Sequence, residues 1–116
     1  MHKLKYKPVV AVDFDGTLIF NKYPILENPN MRLINFILKH REEYTWILWT
    51  NRTGDKLQEA IDYMASFDIK FDYVNENTIE TRLMWGDSRK VWANYYIDDK
   101  SATLGRIIYN RIFRRI

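Results

Sequence analysis

No cysteine occurs in the chain, which excludes disulfides and any thiolate metal centre. No apolar run approaches the roughly 20 residues that cross a bilayer, so no membrane partner is expected. The amino-terminal stretch Met1-His2-Lys3-Leu4-Lys5-Tyr6-Lys7 is basic but lacks the apolar core of a signal peptide. A cytoplasmic location is the expectation. Internal repeats, linkers and low-complexity tracts are also missing, and a length of 116 residues argues for one domain, 1–116. Charge is only mildly unbalanced, at +3 with a pI near 9.1. Such a balance suits phosphate-bearing partners without marking nucleic-acid binding. Apolar residues, by contrast, make up 47% of the chain and aromatics 16%, enough for a true core and against disorder.

The most informative segment is Val9-Val10-Ala11-Val12-Asp13-Phe14-Asp15-Gly16-Thr17. Four small apolar residues read as a strand buried on both faces. Two carboxylates follow at its carboxyl end, then a glycine turn. Inside a sheet such a pair would be costly; at the end of a parallel strand it lies where open α/β sheets bind ligands. Asp13 and Asp15 are two apart, so in an extended chain they point the same way. Two oxygen ligands on one side suit a hard cation such as Mg²⁺.

Periodicity places the other elements. Strand one covers about Pro8 to Asp13, and the loop Asn21 to Asn30, with Pro24 and Pro29, holds no long element. Met31, Ile34, Ile37 and Leu38 predict a helix running to about Arg41. Tyr44 to Trp49 reads as a buried strand that stops at Thr50-Asn51-Arg52-Thr53-Gly54. Leu57, Ile61, Met64 and Ala65 predict a helix ending near Phe67, and Phe71 to Val74 a third strand. The polar stretch Asn75 to Arg89 has room for one short helix. Ala93 to Ile97 predicts a fourth strand running into Asp98-Asp99. In the tail, Leu104, Ile107, Ile108 and Ile112 share one helical face. This alternation implies a Rossmann-like, three-layer α/β/α fold with a mainly parallel sheet and strand one central.

Strand ends bring chemistry of different kinds. Strand one supplies Asp13 and Asp15; strand two supplies Thr50, with Asn51 and Arg52 beyond; strand four supplies Asp98 and Asp99, with Lys90 just before it. In a parallel sheet these groups converge at one edge. Acidic ligands, a hydroxyl donor and a lysine make a site for a metal and a phosphate. A carboxylate can attack phosphorus to give an aspartyl-phosphate, and a metal offsets the charge that would repel that attack.

In these residues the chain resembles the phosphatase branch of the haloacid dehalogenase superfamily. Asp-x-Asp-Gly-Thr matches residues 13–17, the threonine closing a hydrophobic strand matches Thr50, the lysine matches Lys90, and the acidic pair matches Asp98 and Asp99. Small members often carry Lys-Pro-x-Ala-Asp before the last motif; here Val91 and Asn94 replace the proline and aspartate, with Arg89 and Lys100 as fallback cations. The resemblance implies a Mg²⁺-dependent phosphomonoester hydrolase. Asp13 would be the nucleophile and a metal ligand. Asp15 would be the general acid and base, a carboxyl able to hold a proton near neutral pH, as a neighbouring carboxylate would favour, with its backbone carbonyl on the metal. Thr50 and the amide of Asn51 would bind the phosphoryl group, Lys90 would neutralise it, and Asp98 and Asp99 would complete the Mg²⁺ site.

Relatives often recognise substrate through an inserted cap domain. Here Leu18 to Asn30 holds only a short flap and Asn75 to Arg89 is also short, so the protein resembles capless members. An open site excludes water poorly; it either takes a macromolecular end or borrows a lid from another subunit in an oligomer. One rival function is a phosphatase of nucleic-acid ends, such as 3′-phosphates, gripped by the basic tail Arg106, Arg111, Arg114 and Arg115. Another is a non-catalytic binding domain that keeps the fold. Elsewhere, Arg52 suits either substrate contact or an exposed salt bridge, Trp46, Trp49 and Trp85 suit packing, and His2 and His40 suit the surface.

Overall fold

The computed structural model describes residues 7–86 and 91–98. Its first strand, β1 (Val9–Asp13), buries four consecutive residues, as a strand covered on both faces does. Helix α1 (Met31–Lys39) starts where the Asn30 side chain accepts a hydrogen bond from the Leu33 amide, and it buries Leu33, Ile34, Phe36 and Ile37. Strand β2 (Thr45–Trp49) is rich in bulky apolar residues. Helix α2 (Gly54–Ala65) follows, with Asp55 in its first turn, where the helix dipole favours a negative charge. Then come β3 (Tyr73–Val74), α3 (Ile79–Trp85), capped by the Thr78 side chain, and β4 (Tyr95–Ile97).

All pairings are parallel, in the order β3-β2-β1-β4. The chain steps outward from β1 to β2 and β3, then returns to pair β4 with the other side of β1. The reversal lies between β1 and β4, where ligands bind in sheets of this kind. The fold is thus a Rossmann-like, all-parallel α/β fold with β1 central, in agreement with the sequence.

Alternate residues of the strands feed two core clusters. Val10, Val12, Trp46, Leu48, Tyr95 and Ile97 pack with the buried residues of α1 and with Ala60 and Met64 of α2. Val9, Ala11 and Ile47 instead pack with Val91 and Ala93. The helix expected in the tail, which would cover a further face, lies outside the described residues. No helix among the described residues is long and apolar enough to cross a membrane.

Several expectations shift by a few residues for one shared reason: side chains replace the main chain in the sheet ladder. The Asp72 carboxylate accepts from the Trp46 amide at 2.8 Å, so regular pairing of β3 begins only at Tyr73. Likewise Asn94 accepts from the Val9 amide through Oδ1 at 2.8 Å while its own amide donates to the Val9 carbonyl at 2.8 Å. Strand β4 therefore starts at Tyr95. Two single-residue expectations are corrected. His40 is 3% exposed; its ring packs against Phe36 and hydrogen-bonds Glu43, partners close in sequence that make its burial tolerable. Trp85 is 74% exposed, because the short helix α3 buries Thr81 rather than its apolar residues.

Asn94 is a replacement that retains a structural task. Removing its carbonyl in Asn94→Ala leaves the Val9 amide without that acceptor and should cost about 1–2 kcal/mol. Asn94→Asp, which keeps an acceptor oxygen, should cost less; urea denaturation of the two variants measures the difference.

Candidate functional site

After β1 the backbone closes a tight turn: the Phe14 carbonyl accepts from the amides of Thr17, Leu18 and Ile19 at 3.2, 2.9 and 3.3 Å. Gly16 takes φ +83° there, a conformation that a side chain would oppose. The Thr17 hydroxyl donates to Oδ2 of Asp13 at 3.3 Å. Beyond the turn the chain rises as a flap, pinned where the Phe20 amide donates to Asn28 and the Asn30 amide to Leu18, both at 2.8 Å. Asn30 also donates from its side chain to the Thr17 carbonyl at 3.0 Å, so the residue that caps α1 fastens the turn as well.

At the carboxyl end of the sheet, a cavity of about 60 Å³ is lined, among the described residues, by Asp13, Trp49, Thr50, Asn51 and Asp98. Four of the residues expected at the site therefore meet at the β1–β4 reversal. Thr50 is held on both sides: its amide donates to Asn75 Oδ1 at 2.8 Å, and its hydroxyl oxygen accepts from the Arg52 amide at 3.1 Å. The hydroxyl keeps its own proton to donate elsewhere.

Asp15 is not among the residues that line this cavity. Its carboxylate is gripped by Arg52, Nε to Oδ2 at 2.9 Å and Nη2 to Oδ1 at 2.7 Å, and Asn21 donates to Oδ1 at 2.8 Å. Arg52 is no exposed salt bridge: it is 2% exposed. Its guanidinium lies between the rings of Phe14 and Tyr23, 5.0 and 4.8 Å from their centroids, and donates to the carbonyls of Lys56 and Pro24. Of the two roles open to it, the geometry shows the ion pair; the guanidinium is engaged away from the cavity residues.

Burial pushes the Asp15 carboxyl up, but the hydrogen bonds from Arg52 and Asn21 and the Arg52 charge outweigh it. The group is held below its ordinary value of 3.8. Paired with Arg52 it is a carboxylate at neutral pH in this structure.

No group of three or more acidic or imidazole side chains gathers as a metal cluster among the described residues. Asp13 and Asp98 nevertheless share the cavity, and two carboxylates there fit a hard, oxygen-ligated cation. The Asp15 side chain is committed to Arg52 and Asn21, so only its backbone carbonyl is left to the role implied for it. Lys90 and Asp99, the remaining expected site residues, lie outside the described residues. Asn21, Asn75 and Tyr23 were missed by the sequence reading; a lone asparagine or tyrosine in a loop carries no spacing signal.

Arg52→Ala should destabilise the fold by about 2–3 kcal/mol, because it empties the buried space beside Phe14 and leaves a half-buried carboxylate without its partner; chemical denaturation reports the loss. The sign with pH follows from the lowered Asp15 value. Its stabilising contribution is complete above 3.8 and is lost as pH falls through the lower folded value. Stability of the wild type should therefore drop more steeply below about pH 4 than that of Asp15→Asn, in parallel unfolding curves.

No family model matches the chain, and no curated protein matches it. A solved structure described as that of a conserved protein coded by a locus from Bacteroides thetaiotaomicron is similar throughout. The TM-score is 0.77 at 30% sequence identity, over 96% of this chain and 93% of that one. With likeness of that extent in both sequence and fold, the chain belongs to one family with this conserved Bacteroides protein.

Proposed function

We propose that the protein is a Mg²⁺-dependent phosphomonoesterase of the haloacid dehalogenase type, working through an aspartyl-phosphate on Asp13. The observation that carries this reading is the meeting of Asp13, Thr50 and Asp98 in one small cavity at the sheet's topological reversal. Asp15, two residues beyond Asp13 in the chain, is held by Arg52.

In the proposed reaction an Asp13 carboxylate oxygen attacks phosphorus, and the bond from phosphorus to the ester oxygen breaks. The leaving oxygen takes a proton from Asp15. Water then attacks the phosphorus of the aspartyl-phosphate and gives one proton back to Asp15; phosphate departs with the other and Asp13 is restored. The ionised Asp15 of this structure suits the second half, in which it accepts a proton. A protonated Asp15 is a poorer partner for a guanidinium, so the acid form and the Arg52-paired form are alternatives within the cycle. Thr50 would donate its hydroxyl proton to a phosphoryl oxygen, and so would the Asn51 amide. Asp13, Asp98 and the Asp15 carbonyl would hold Mg²⁺, which supplies positive charge against the phosphoryl group when bound. Lys90 and Asp99 keep their implied roles of phosphoryl neutralisation and metal binding.

Phosphate release from a panel of monoesters, with Mg²⁺ and with chelator, tests the reading. Metal-dependent release is expected. Asp13→Asn should lower it by more than about a thousandfold while leaving the circular dichroism spectrum unchanged. Thr50→Val, which loses one donor, should lower kcat about a hundredfold. Absence of release from every ester, in folded protein, would leave a binding domain instead.

A further inference from the structure

We infer that Tyr23, on the flap, is a specificity-determining residue that stacks against a planar ring in the substrate, so that the preferred esters are nucleoside phosphates. This rests on the phosphomonoesterase reading and names the substrate class for the same site. The cavity beside Asp13, at about 60 Å³, has room for a group the size of a few waters, so a nucleoside-sized leaving group must lie outside it. In the proposed reaction the leaving oxygen meets Asp15, and the flap is tied to Asp15 because Asn21 donates to it at 2.8 Å.

Tyr23 lies on that flap under unusual conditions. One face of its ring rests on the Arg52 guanidinium, which is itself backed by Phe14 and clamped to Asp15. Yet Tyr23 is 57% exposed, so a pile of three planar groups, Phe14, Arg52 and Tyr23, ends in a ring open to solvent. Such a ring is already oriented, and a stacking partner need not order it. Base-on-aromatic stacking accepts any base because each presents a π face. Phe20 and Ile25, also exposed on the flap, extend the apolar rim, and the exposed Lys22 sits among them as a charge that favours an anionic ester.

The discriminating pair is a nucleoside 5′-monophosphate and ribose 5-phosphate, which carry the same phosphoester with and without the ring. With Mg²⁺, the wild type should show a kcat/KM at least about tenfold higher for the nucleotide, the effect of one stacking contact. Tyr23→Ala should remove that preference by raising KM for the nucleotide at least about tenfold more than KM for ribose 5-phosphate; Tyr23→Phe should retain it. Equal losses on both esters would show that Tyr23 only covers Arg52 and would overturn the proposal, as would a wild type without preference. A phosphorylated oligonucleotide separates the sources of the ring. Faster, salt-sensitive turnover of it would assign nucleic-acid ends, and faster turnover of the mononucleotide would assign free nucleotides; either upholds stacking. If no ester turns over, the phosphomonoesterase reading fails, and equilibrium dialysis of the same two compounds still decides the contact. Selective, Tyr23-dependent binding of the nucleotide upholds it, and equal or absent binding overturns it.

Discussion

A buried guanidinium needs a negative partner, and for Arg52 that partner is Asp15. The pair is bidentate and Arg52 is almost fully enclosed, so neither group can be left alone cheaply. Three pieces of chain far apart in sequence depend on it. The turn after β1 contributes Asp15. The flap contributes Asn21, the Tyr23 ring and the Pro24 carbonyl, and the segment after β2 contributes Arg52 itself and the Lys56 carbonyl. Through the Arg52 amide the same network reaches the Thr50 hydroxyl. Flap and Thr50 are thereby fixed against one charged centre.

The sheet decides where that centre stands. Parallel strands all end on one edge, and the return of the chain from β3 to β4 opens a crevice beside β1. Residues that finish β1, β2 and β4 are carried to that edge whatever their identity. The identities then matter: a carboxylate, a hydroxyl and a second carboxylate share a cavity, where apolar residues at the same positions would have extended the core.

Much of this was legible in the sequence, because its strongest signals are local. The buried run Val9–Val12, the helical spacing of Leu33, Ile34 and Ile37, and the polar residues closing each strand required no knowledge of distant contacts. By that route Asp13, Thr50 and Asp98 were expected at one edge, and they line one cavity. Asp15 shows the limit. Spacing sets it beside Asp13 but gives no sign of the guanidinium 37 residues away that grips it and favours its ionised form. The starts of β3 and β4 were misjudged for a similar reason, since Asp72 and Asn94 look like strand or turn residues until their long-range acceptors and donors are seen. His40 was misread because its partners, Phe36 and Glu43, satisfy it locally without any pattern that marks a buried imidazole.

The Asp15–Arg52 pair also bears on why the proposed reaction would need an added cation. The charge of Arg52 is taken up by Asp15, and the described residues that line the cavity include Asp13 and Asp98 but no basic side chain. A phosphoryl group brought to within about 4 Å of a carboxylate is opposed by about 4 kcal/mol per pair of unit charges at an effective dielectric constant near 20. Two carboxylates facing a dianion multiply that cost beyond what one hydroxyl and a few amides recover. Positive charge must therefore come from outside this lining, either from a divalent ion on the carboxylates themselves or from a lysine reaching in. In the proposed reaction the motif residue Lys90 and a metal on Asp13 and Asp98 would answer that need. Among the described residues the buried arginine is committed to Asp15, so the proposed phosphoryl site would depend on both.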